Sequence, residues 1–100
     1  MSTPEERAPI QRRYDRITVM WSGNLQVGQR TIGCIVRNVS AGGATLQVET
    51  PVVCNVTVTL ETTRLGSLRS RVVWHQGDLV GLRFLEKPQK VARALGIALP

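Results

Sequence analysis

The chain has little of what most catalytic and metal sites are built from. It holds one histidine, two cysteines with no C-x-x-C spacing, and seven acidic residues in 100. That set cannot complete a zinc centre. There are no paired carboxylates, no nucleophile with a base beside it, and no G-x-x-x-x-G-K-[ST] loop, so neither an enzyme nor a metal cofactor is expected. No apolar run approaches the roughly 20 residues that span a membrane as a helix. The opening "MSTPEERAPIQRR" lacks the apolar segment of a signal peptide. The expectation is a soluble, cytoplasmic protein, with Cys34 and Cys54 as buried, reduced thiols in apolar runs. Only four aromatics are present, Tyr14, Trp21, Trp74 and Phe84. Small barrels that bind RNA or DNA usually expose several such rings as stacking platforms.

What is present is arginine and alternation. Thirteen basic residues give a net charge of +6, and eleven of them are Arg. The planar guanidinium fork matches phosphate and the acceptor edge of guanine, so an anionic partner is expected. Apolar residues at 42% and charged residues at 20% suit one folded domain rather than a disordered tail.

Period-two patterning runs through most of the chain. Ile17, Val19 and Trp21 share a face, as do Ala44, Leu46 and Val48, then Val56, Val58 and Leu60, then Val80, Leu82 and Phe84. Turn formers separate these runs at Ser22-Gly23-Asn24, Gly42-Gly43, Thr50-Pro51, Leu65-Gly66-Ser67 and Gly77-Asp78. The reading is six short strands over 16–22, 30–39, 44–49, 55–62, 68–75 and 79–85, hence an all-β barrel or sandwich. From Pro88 the apolar spacing turns helical, which predicts one short C-terminal helix ending near Gly96 and covering an edge or mouth. Residues 1–11, with two prolines and mixed charge, read as a flexible N-terminal arm, and 12–100 as the domain.

Two stretches carry the functional signal. "QRRYDR" puts Arg12 and Arg16 four apart with Arg13 between them. After Arg16 come twenty-one residues and then "NVSAGG", which sets Asn38, Ser40 and Gly43 as N-x-S-x-x-G. If 30–39 is a strand, Val39 turns inward, and Asn38 and Ser40 project side by side outside. Gly42 and Gly43 permit positive φ and close approach of another molecule. Alone, either stretch reads as an ordinary hairpin turn or a solvated charge run.

Together they resemble the two-part R-x-x-x-R and D/N-x-S-x-x-G motif of the PilZ domain, a bacterial receptor module for cyclic di-GMP. "SRVVWHQGDLVGLRFLE", residues 70–86, is similar to the late strands of that family. The resemblance implies a six-stranded antiparallel β-barrel of split-barrel type with a C-terminal α-helix. It also implies cyclic di-GMP as ligand, with Arg12, Arg16, Asn38, Ser40 and Gly43 at its site. Arg13 is added as a neighbouring phosphate or stacking partner, and Gln11 and Gly42 as ligand-proximal positions. Trp74 can stack on a guanine, but its expected role is packing in the barrel or under the helix. Arg69, Arg71 and Arg83 can extend the positive surface, and His75 has no partner. The implied role is an adaptor that presents a changed surface to an unidentified protein, with motility or biofilm formation as the output. Two rivals are a PilZ-like interaction protein without nucleotide and a basic barrel binding RNA or DNA.

Overall fold

A computed structural model describes residues 15–97. Six strands follow in order: β1 Ile17–Val27, β2 Arg30–Val39, β3 Gly43–Val48, β4 Thr57–Thr62, β5 Gly66–Gln76 and β6 Leu79–Phe84, then helix α1 Pro88–Leu95. All neighbours pair antiparallel, and the sheet closes on itself in the order β1-β2-β3-β6-β5-β4. Closure rests on three pairs between β1 and β4: Asn24 with Glu61, Leu25 with Leu60, and Gln26 with Thr59. The predicted N-terminal arm, 1–11 with Gln11, lies outside the described residues, as do Arg12 and Arg13.

Alternation fills the barrel as the pattern requires. Leu25, Val36, Leu46, Leu60, Leu68 and Val72 are all but inaccessible to solvent and meet in one core cluster. Each such side chain contributes about 1.5–3 kcal/mol relative to exposure. Pro88 stands in the first turn of α1, and Gly96 at φ 72° ends it with N–H bonds back from Gly96 to Arg93 and from Ile97 to Ala92. The helix has no sheet edge to cover, because the barrel is closed. It buries Val91 and Ala92 instead, and Val91 joins the core cluster. Glu86 ties this end down by accepting from the Arg69 N–H at 2.9 Å and from Lys90 Nζ at 3.2 Å.

Three local expectations are corrected. Ser22-Gly23-Asn24 is strand, not turn: β1 continues to Val27, and the reversal comes at Gly28, φ 61°. Glycine is needed at 23 for packing, since a Cβ there would lie 2.9 Å from the Glu61 carbonyl oxygen. Second, β4 begins at Thr57 rather than 55, because Asn55 takes a left-handed φ of 67° that no strand residue adopts. Third, Cys54 stands in a turn and is partly exposed, while Cys34 is buried in β2; both are free thiols.

Candidate functional site

Register places the side chains of the outer wall in rows. One row runs Thr18, Asn38, Thr45, Gly81, Trp74 across β1, β2, β3, β6 and β5. Paired residues share a face, so all five look outward. The row one step away runs Gly43, Arg83, Arg71, Thr57. On its other side lies Ser22, Ile35, Gln47, Leu79, Gln76.

Arg16 and Asn38 meet. Arg16 Nη1 donates to Asn38 Oδ1 at 2.6 Å, across twenty-two positions of sequence. The bond occupies the Asn38 carbonyl oxygen and leaves its amide N–H donors for another acceptor. Partial burial lowers the Arg16 pKa from the ordinary arginine value. Arginine nonetheless stays charged in proteins. The described residues give Arg16 no carboxylate partner. A cation held by a neutral amide keeps its charge for an anion.

Ser40 does not stand beside Asn38 on the outer wall, contrary to the alternation. Strand β2 ends at Val39, the backbone bends, and Ser40 is 3% exposed. Its hydroxyl accepts from the Gly42 and Gly43 N–H groups at 3.1 and 3.3 Å. Its own N–H donates to the Gly43 carbonyl at 2.8 Å. Ser40 therefore organises the turn that leads into β3. The two glycines also serve differently from expectation. Positive φ occurs at Gly28, Gly66, Gly77 and Gly96, not at Gly42 or Gly43. A Cβ on Gly43 would instead collide with the backbone carbonyl of Leu82 on β6. The Gly42 carbonyl accepts from the Phe84 N–H at 2.9 Å. Both glycines thus seat the β2–β3 turn against β6.

Trp74 is neither in the barrel nor under the helix. A β-bulge between Val72 and Trp74 turns the indole onto the outer wall, where it is 37% exposed. A Cβ on Gly81 would collide with Nε1 of this indole and the ring atoms beside it, so the missing side chain is what lets the ring lie there. Trp21, by contrast, packs on the core as expected, with the Arg64 guanidinium 5.2 Å from its ring centroid. Arg71 and Arg83 are directly opposed on β5 and β6, both on the outer wall beside the Trp74 row. Like charges placed so repel. Arg69 is exposed on the same strand, and His75 is exposed near its end.

The wall therefore collects Asn38, Thr45, Trp74, Arg71 and Arg83 within two adjacent rows, with Arg16 hydrogen-bonded to Asn38. Sequence reading missed Thr45 and Gly81, because only strand register shows that they bridge Asn38 to Trp74. Ser40 stands behind this surface, and Gly43 lies in it beside Arg83 without a side chain. Another open groove, lined by Ser22, Asn24, Glu61, Thr62 and Ser67, starts at the Ser22 end of the flanking row that carries Gln47 and runs to the β1–β4 closure. It lies six strand positions from Arg16, about 20 Å. With an acid and no arginine or aromatic ring, it suits a dianion poorly. No cluster of three or more potential metal ligands occurs among the described residues. None of their helices is long and apolar enough to cross a membrane.

Comparison with known proteins agrees with this architecture. The model of the PilZ domain family matches residues 10–96. The PilZ domain of CeSA from a cellulose-synthesizing bacterium superposes with a TM-score of 0.65 at 15% identity, over 81% of this chain and 91% of that one. An uncharacterized Legionella protein superposes with a TM-score of 0.52 at 16% identity, over 83% and 89%. No curated protein matches by sequence.

Proposed function

The chain belongs to the PilZ domain family, and from that membership we propose that it is a receptor for cyclic di-GMP whose site is the outer wall around Asn38. PilZ domains are ligand-binding regulatory domains rather than enzymes. Family and fold alone do not place a ligand on this chain, so the weight falls on the site. One observation carries it: the hydrogen bond from Arg16 to Asn38 joins the two halves of the motif on one patch.

The chemistry follows from the donors. Cyclic di-GMP offers two guanine edges, each with O6 and N7 as adjacent acceptors, and two phosphodiester charges. A guanidinium fork reads one such edge for about 1–3 kcal/mol of discrimination. Arg16, pre-positioned by Asn38, takes a guanine edge or a phosphate, and the free amide of Asn38 donates to the same guest. Trp74 supplies a ring face for a base, and Arg71 and Arg83 lose their mutual repulsion when an anion lies between them. Ser40 and Gly43 act by shaping the turn. By the family resemblance Arg12 also contacts the ligand, with Arg13 and Gln11 as neighbours; these three lie outside the described residues. The loaded wall is then the changed surface read by a protein partner in the cytoplasm, with motility or biofilm formation as the output.

Titration calorimetry of the full chain with cyclic di-GMP tests this reading. Saturable binding is expected, with loss of at least tenfold in affinity for Arg16→Ala and Asn38→Ala while circular dichroism stays unchanged. Equal affinity for wild type and both variants would remove the site from this wall. A salt-dependent interaction with generic RNA, and none with cyclic di-GMP, would replace the function.

A further inference from the structure

Arg37 is one residue from the motif and belongs to none of its positions. The strand pairing shifts between Val36 and Asn38, so Arg37 is the extra residue of a bulge, and it leaves on the exposed face beside Asn38. Its guanidinium does not wave free. Nη1 donates to Gln47 Oε1 at 2.9 Å, and Gln47 Nε2 donates to Asp78 Oδ2 at 3.0 Å. The order of this chain is dictated by chemistry. A carboxylate only accepts, so Asp78 takes the NH₂ of Gln47 and turns its carbonyl oxygen to Arg37. Asp78 itself is fixed in the β5–β6 turn, where its carbonyl accepts from the Val48 N–H at 2.8 Å. Three elements thus hold one arginine in place through a neutral amide, and among the described residues no carboxylate pairs with it and most of its five donors are unused.

The position matters as much as the order. Gln47 follows Thr45 on the same face of β3, about 7 Å along the strand. Arg37 therefore flanks the Asn38–Thr45–Gly81–Trp74 row on the side away from Gly43 and Arg83. A guest lying on that row meets Arg83 on one side and Arg37 on the other. Cyclic di-GMP is a two-fold dianion with phosphodiesters on opposite sides of its ring, so it calls for a cation on each flank.

Resting on the cyclic di-GMP reading of this wall, we infer that Arg37 is a further ligand-binding residue, the barrel-borne cation for one phosphodiester, and that Gln47 and Asp78 are positioning residues that aim it. The wall then grips the guest with cations from two sources, the N-terminal side and the bulge in β2.

Calorimetric titration of the full chain with cyclic di-GMP at several salt concentrations, beside thermal melts, tests the inference. Arg37→Ala is expected to bind on the order of tenfold more weakly at low salt, with a shallower salt dependence than wild type, as for loss of one screened charge–charge contact. Arg37→Lys should keep the slope and recover part of the affinity. Gln47→Glu, which sets a carboxylate on Arg37, should weaken binding more than Gln47→Ala. Melting temperatures should stay within a few degrees of wild type, because these side chains are at the surface. Wild-type affinity in Arg37→Ala, or weaker binding with an unchanged salt slope, would overturn the inference. If Arg16→Ala still loses binding in the same series, the reading of the wall survives that failure. If wild type itself does not bind, the reading fails and takes the role of Arg37 with it.

Discussion

Gly43→Ala separates two reasons for a glycine in the N-x-S-x-x-G segment. If the residue is small to admit a ligand, alanine should harm binding and spare the fold. The geometry gives the opposite order. The added Cβ meets the main-chain carbonyl of Leu82, which cannot rotate away as a side chain can. Strand β3 must lift from β6, and the bonds at risk are local. They are Phe84 N–H to the Gly42 carbonyl at 2.9 Å, Ser40 N–H to the Gly43 carbonyl at 2.8 Å, and the ladder at the Gly43–Arg83 pair. Losing two or three of these at about 0.5–1.5 kcal/mol each costs about 1–4 kcal/mol. For a domain of this size each kcal/mol shifts the midpoint by roughly 4–8 °C, so a fall of about 4–30 °C is expected. Calorimetric or circular dichroism melts measure it, and ligand titration well below the lowered midpoint separates stability from binding. A variant that melts within about 2 °C of wild type yet has lost cyclic di-GMP would refute the packing argument.

Two further outcomes follow from the same coordinates. Trp74→Ala should leave the fold intact, since the indole lies outside the core. It should weaken cyclic di-GMP by the worth of one base stacked on an aromatic ring, about 1–3 kcal/mol or roughly 5–150-fold; unchanged affinity in calorimetry would take the ring out of the site. Burial, helped by Glu49, pushes the Cys34 thiol up from its usual 9.0 to about 11. Below pH 9 the thiol is protonated in both states and the shift has no effect. Between about 9 and 11 the unfolded chain ionises first, so stability falls as pH rises. Melts of wild type against Cys34→Ala should show their difference moving against wild type through that window, and a constant difference would contradict the burial.

Much of the barrel was legible because half-buried strands write their period plainly. Val80, Leu82 and Phe84 face inward as the alternation says, and so do Ala44, Leu46 and Val48. The failures fall where local chemistry and tertiary contact part. Ser22-Gly23-Asn24 has turn composition, but the backbone of β4 passes close to Gly23 and holds the segment in β1. Ser40 follows the rule of alternation only while the strand lasts, and the strand stops one residue earlier. Trp74 lies outside because of a bulge and a glycine on the next strand, neither of which leaves a mark in its own neighbourhood. Arg37 escaped for the same reason. Its setting comes from Gln47 and Asp78, ten and forty-one positions on, which only strand register brings together. Arg16 and Asn38 were singled out by resemblance to a two-part family motif, and the structure joins them by a hydrogen bond across twenty-two positions.

The central claim is most directly tested by mapping amide and indole shifts of the ¹⁵N-labelled chain through a titration with cyclic di-GMP. The account predicts saturable changes at Arg16, at 37–47, at Gly81 and at the Trp74 indole N–H, with the polar groove at 22–24 and 61–67 left still. Changes centred on that groove, or no saturable change anywhere on the Asn38 wall, would contradict it.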